Sequence, residues 1–281
     1  IRYRLVGSEM CIRDRMNTWN EAVKEYYRFR NIGKNDFTYR KYFDPLLKNK
    51  ELNSLSKSDI AEIRSGIKGK AGTVNRYLSF FRAILTFAYE ELGWLDNKPL
   101  VKGVKDSPRN TLYFSQEDVQ RLYVLLPEHL KKPFIFSLLT GVRMSNCLNL
   151  KWEQIKENQI AIEATETKNG KVLCVPLNKK CKELISSIER KGPYVFTYAG
   201  RKISRASNTG WYTALKKAGL EGYRWHDLRH TWASHHVQNG TPLHTLQVLG
   251  GWSDFNIVTR YAHLSNDYLN DACEVSNSLV S

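Results

Sequence analysis

Two basic side chains one helical turn apart, a tryptophan behind a glycine pair and a late tyrosine mark residues 223–261 as a stretch that could do chemistry. His226 and Arg229 are spaced i, i+3 and share a face if this part of the chain is helical. A phosphodiester under attack gathers charge on its two non-bridging oxygens. An arginine fork meets two oxygens at once, and a neighbouring imidazole can donate a hydrogen bond or move a proton. Thr241-Pro242 reads as a helix cap with proline at the first helical position, and Gly250-Gly251 as the stop. Ser253 or Asp254 would cap a next helix carrying Ile257, Val258 and Tyr261. Tyr261 then rides on a segment that two glycines can reposition.

His226-Asp227-Leu228-Arg229-His230, the Leu-Gly-Gly-Trp segment ending at Trp252, and Arg260-Tyr261-Ala262-His263 resemble the C-terminal signature of the tyrosine recombinases, the phage-integrase family. Upstream, Thr140-Gly141-Val142-Arg143-Met144-Ser145 resembles that family's first-arginine motif, and Thr167-Lys168-Asn169-Gly170-Lys171 its catalytic-lysine turn. The motifs fall in the family's order, and the resemblance covers the chain after residue 16. It implies a catalytic set of Arg143, Lys168, His226, Arg229, Trp252 and Tyr261, with no metal and no cofactor. Tyr261 would attack a DNA phosphate to give a 3′-phosphotyrosyl link, conserving the bond for rejoining. His226 could accept the phenol proton, and Lys168 would protonate the departing 5′ oxygen. Lys171 competes for the lysine role, and Gly251 for the alignment given to Trp252. Where the family has Glu after the motif serine, this chain has Asn146. The implied partners are double-stranded DNA at att-type sites, a homotetramer on DNA built from subunits monomeric in solution, and accessory DNA-bending proteins. A DNA-binding regulator without catalysis and a type IB topoisomerase are the rival readings.

The elements that would position these residues follow from pattern. The 281 residues suffice for two domains, and the net charge of +15 points to an anionic partner. Residues 16–105 carry a net of +7 and residues 106–281 a net of +6, so both parts could follow one long polyanion. Five cysteines without a Cys-x-x-Cys pair argue against a disulfide framework or a zinc site and fit a reducing cytoplasm. His226 and His230 at i, i+4 could bind zinc, but no third ligand stands at suitable spacing. No apolar run is long enough for a membrane span.

The expected fold is mainly α with a small β-sheet: an N-terminal helical core-binding domain and an α+β catalytic domain of tyrosine-recombinase type. Residues 1–15 fit no period and read as a non-native leader. Residues 16–97 read as four helices, the first opened by a capping box at Thr18 and the short third capped at Ser56; a second capping box, at Ser115, opens a helix in the next domain. Lys70, Asn75, Arg76 and Arg82 are candidates for phosphate contact there, and Arg205 is another in the second domain. Residues 98–110, with Pro99, Gly103 and Pro108, read as a linker. Residues 111–267 would form the catalytic domain. It would hold short strands at 111–114 and 195–196 and a hairpin of 159–164 with 172–175 whose tip carries Lys168. Residues 268–281 would be an amphipathic tail.

Overall fold

Three capping boxes written into the sequence start three helices. Thr18 with Glu21, Ser56 with Asp59 and Ser115 with Asp118 each make both reciprocal hydrogen bonds, which satisfies amides that a helix start otherwise leaves unpaired. In a computed structural model of the chain, residues 17–105, 111–167 and 170–265 are described. They fall into two compact units, one on each side of residues 106–110.

The first unit holds α1 (Trp19–Phe29), α2 (Asp36–Leu47), α3 (Lys57–Gly66) and α4 (Ala71–Glu90). Its core centres on Trp19, whose ring lies 5.6 Å from Phe43 and 5.4 Å from Phe81. Phe43 and Phe81 stack at 5.2 Å. Burying each such side chain contributes roughly 1.5–3 kcal/mol. Residues 101–104 stay with this unit: Val101 is in its core, and Val104 exchanges two 2.8 Å hydrogen bonds with the Asn75 side chain.

The second unit begins with α5 (Gln116–Leu125), α6 (Glu128–Thr140) and α7 (Met144–Leu148). An antiparallel hairpin follows, β1 (Gln159–Ile162) with β2 (Leu173–Pro176), in the register Ile160↔Val175. Then come α8 (Lys179–Ser186), the small hairpin β3 (Thr197–Tyr198) with β4 (Arg201–Lys202), α9 (Thr209–Lys217), α10 (Asp227–Gln238) and α11 (Leu243–Gly250). Helix α10 runs between two apolar clusters. Leu228 joins the one containing Phe134, Trp211 and Trp225, and Trp232 the one containing Leu246, Trp252 and Tyr261. A helix flanked on two sides buries polar residues as well, and Asp227, Arg229 and His230 are all buried.

Four local expectations change. Residues 111–114 are not a strand: the Phe114 amide donates to Thr231 Oγ1 at 2.9 Å and its ring stacks on Tyr223 at 4.3 Å, so a helix supplies the partner a strand would have needed. The strand placed at 195–196 lies at 197–198, because the Val195 amide bonds to Leu150 O. Thr241 does not cap α11; its hydroxyl meets His236 Nδ1 at 3.0 Å. Residues 255–265 form two short 3-10 segments, Phe255–Ile257 and Thr259–Ser265, instead of an α-helix. Asp254 does cap, accepting from the Asn256 amide. The proposed leader at 1–15 and tail at 268–281 lie outside the described residues.

Candidate active site

Arg229 is the fixed point of the site. It leaves the first turn of α10 and is 3% exposed. Its Nη1 donates to Gly141 O and its Nη2 to Gly250 O, both at 2.6 Å. Two glycine-containing turns therefore aim one guanidinium. Gly141 ends α6 at φ +63°, a backbone that favours glycine, and a Cβ there would lie 2.2 Å from the Trp232 ring. A Cβ on Gly250 would lie 2.0 Å from the Trp252 ring. Only a bare backbone lets the carbonyls come this close.

Trp252 closes the site from the side. The Arg229 guanidinium sits 4.0 Å from its ring centroid, a cation–π contact, and the Tyr261 ring lies 6.3 Å away on the same indole. Arg143 sits just after the α6 turn, as the residue that opens α7, and is half-buried. Burial pushes the Arg229 pKa down to about 9, with the Arg143 charge adding to the shift and the Tyr261 phenol opposing it. Arg229 therefore stays charged at neutral pH. His226 precedes α10 with an exposed edge. The protein packed around it holds its pKa below the usual histidine value, and the Arg229 charge adds to this, so the ring is neutral at pH 7.

Tyr261 is 1% exposed. Its Oη lies 2.5 Å from Nδ1 of His230. Burial raises the phenol to about 12, against the pull of Arg229 and Arg260. Burial lowers His230 to about 4, helped by His226. A neutral imidazole therefore faces a protonated phenol. His226 and His230 meet edge-on, ring centroids 5.0 Å apart. Five of the six catalytic candidates, Arg143, His226, Arg229, Trp252 and Tyr261, thus converge within the second unit. The sixth, Lys168, lies outside the described residues; Lys171 is exposed on the arm of the β1–β2 hairpin. Among the described residues no group of three or more His, Cys, Asp or Glu side chains could hold a metal.

Residues 113–267 match the phage integrase family, more than half of the chain. The chain belongs to that family. The integrase of Salmonella phage P22 is 36% identical over 219 residues, which are 72% of this chain and 57% of that protein. The integrase of Escherichia phage P2 is 28% identical over 209 residues, 74% of this chain and 60% of that protein. This family member therefore spans less than two thirds of the length of either phage protein. Among solved structures, a lambda integrase dimer bound to a COC′ core site superposes with a TM-score of 0.72 at 19% identity, covering 87% of this chain and 77% of that one. The Tn1549 transposon integrase in complex with transposon right end DNA gives 0.69 at 15% identity, covering 92% and 98%. The integrase-family fold is thus mainly α with little β, as expected from the sequence.

The remaining candidates divide. Lys70 at the start of α4, Arg76 on α4 and Arg205 before α9 are exposed. Asn75 and Arg82 are engaged by their own chain: Asn75 holds Val104, and Arg82 donates to Val101 O at 2.8 and 3.3 Å. Both side chains are thus partly committed to main-chain partners, although Arg82 is also exposed. Asn146, where the family has Glu, is buried with its Nδ2 lacking a partner among the described residues. His230 is a site residue that the sequence does not announce. Its spacing from His226 suggests only zinc, although the same i, i+4 spacing puts both rings on the face of α10 that meets Tyr261.

Proposed function

We propose that this chain is the core-binding and catalytic part of a site-specific DNA recombinase that cuts and rejoins double-stranded DNA for a phage or mobile element. The observation that carries this reading is the seating of the Arg229 guanidinium, 4.0 Å from the ring centroid, and the Tyr261 ring on one indole, Trp252, with the Arg143 charge acting on Arg229 and His226 edge-on to the His230 that meets the phenol. Arg229 has five N–H donors, of which the two glycine carbonyls occupy two. The others, with Arg143, are suited to two non-bridging oxygens and to the charge that develops on them. Neutral His226 can donate one further hydrogen bond, and Trp252 its indole N–H. Tyr261 Oη forms the bond to phosphorus and the bond from phosphorus to the 5′ oxygen breaks. The phenol proton passes to a neighbouring histidine, and Lys168 supplies one to the departing 5′ oxygen, which becomes the 5′ hydroxyl. A hydroxyl from a second strand then reverses the step on new DNA, with no nucleotide cofactor.

In this reading residues 16–97, with the packed stretch 101–104, are the core-binding domain that grips the duplex, the linker expected at 98–110 narrows to the residues after 104, and residues 111–267 are the catalytic domain. Att-type sites are the substrate and a homotetramer on DNA the working assembly, with accessory DNA-bending proteins as further partners. Lys70, Arg76 and Arg205, all exposed, would contact the backbone. The test is a nicked suicide duplex bearing the attachment sequence that flanks the chain's own reading frame. The parent protein should yield a covalent adduct and Tyr261→Phe none. Binding without an adduct would identify a regulator, and relaxation of any supercoiled plasmid without joining of sites a topoisomerase.

A further inference from the structure

We infer that His230, rather than His226, is the base that takes the phenol proton of Tyr261. The inference rests on the recombinase reading and adds a catalytic residue to it. The geometry is direct: Nδ1 of His230 stands 2.5 Å from the Oη that would attack phosphorus, a direct contact with no room for an intervening water. His226 has no hydrogen bond to Tyr261 among the described residues; it meets His230 edge-on. With Oη as donor, Nδ1 is the acceptor, so the resting tautomer carries its proton on Nε2.

The surroundings fit a base kept ready. His230 is 9% exposed on the rigid α10, while Tyr261 is held on the short 259–265 turn, so the pair is out of water and in register. The resting base must be neutral, and burial keeps it so. When Oη–P forms and P–O5′ breaks, the phenol loses its proton to Nδ1, leaving an imidazolium. Asp227, fully buried one turn earlier, favours that charge. A phosphate seated against Arg143 and Arg229 brings negative charge that favours it as well. The proton on the 5′ oxygen comes from another donor, so each proton has one source and one destination.

The experiment is single-turnover adduct formation on the same suicide duplex with His230→Gln and His230→Ala. Gln can hold the phenol by a hydrogen bond but cannot take its proton. Both variants should slow the step by about 10²-fold or more, with duplex binding unchanged. Placing 3,5-difluorotyrosine, a more acidic phenol, at position 261 should restore most of the rate in His230→Gln and change the parent little. Parental rate in His230→Gln, or a slow rate indifferent to fluorination, overturns the proposal and leaves His230 a packing residue. If neither variant folds, the ¹⁵N spectrum of the parent decides: His230 should show an unprotonated Nδ1 whose shift moves in Tyr261→Phe, and an Nδ1–H signal overturns the assignment. Absence of any adduct from the parent overturns the recombinase reading as well, whereas failure in the His230 arms alone leaves it standing.

Discussion

The Arg229 guanidinium sits 4.0 Å from the Trp252 ring centroid while its two ends bond to the carbonyls of Gly141 and Gly250. Three contacts fix a planar fork that lysine cannot reproduce. Arg229→Lys should therefore keep the charge yet lower the rate of adduct formation by about 10²–10³-fold. The same change leaves a buried carbonyl unpaired and should cost about 1–3 kcal/mol in urea unfolding. A variant with parental rate would show that charge alone suffices.

Gly250→Ala tests the packing beneath that fork. The added Cβ would fall 2.0 Å from Trp252, so the indole must move. Overpacking of this kind costs about 1–3 kcal/mol. We expect a lower unfolding midpoint together with slower cleavage, measured by urea titration and by single-turnover assay.

The His230–Tyr261 pair sets a pH dependence of stability. His230 has a folded pKa of about 4, below the usual 6.5, so the unfolded chain binds the proton more readily and stability falls as pH drops from 6.5 to about 4. The loss is at most about 3 kcal/mol. Tyr261, raised from 10 to about 12, contributes stability that is present below pH 10 and lost as pH rises through 12. Urea midpoints across pH 4–7 should show the acid limb in the parent, and His230→Gln should flatten it.

Salt dependence separates the α4 residues. Lys70 and Arg76 are exposed, and alanine at both should reduce the slope of log binding constant against log salt by about 1 for each phosphate no longer neutralised. Asn75→Ala should leave that slope unchanged and instead speed hydrogen exchange at the Val104 amide, which Asn75 holds at 2.8 Å. A slope change in Asn75→Ala would return that residue to the set that touches DNA.

Much of this is legible in the sequence because it is local. The capping boxes at Thr18, Ser56 and Ser115 need only side chains three residues apart, and all three form. The β1–β2 hairpin and the buried faces of α4 and α9 follow from alternation and helical period. Pattern fails where the partner is distant or is backbone. Phe114 takes Thr231, 117 residues away, in place of a strand. Arg229 finds two carbonyls, which no residue type announces. Asn75 and Arg82 look like free polar side chains on a basic helix, yet their acceptors are main-chain atoms 29 and 19 positions later. His230 is visible, but its role depends on where a 3-10 turn carries Tyr261, and the sequence there has the look of an α-helix.

The double grip of Arg229 has a consequence for anyone building hybrids from this chain. Its two carbonyl anchors lie 88 residues upstream and 21 residues downstream, so one side chain rivets together the stretch after α6 and the stretch after α11. A graft that replaces the last forty-odd residues, however well its own tyrosine is set, must also deliver a main-chain oxygen to the same spot. Swaps made at loop boundaries chosen from alignment alone would sever that rivet, whereas exchanges that carry Gly141, Arg229 and Gly250 together would travel as a working piece.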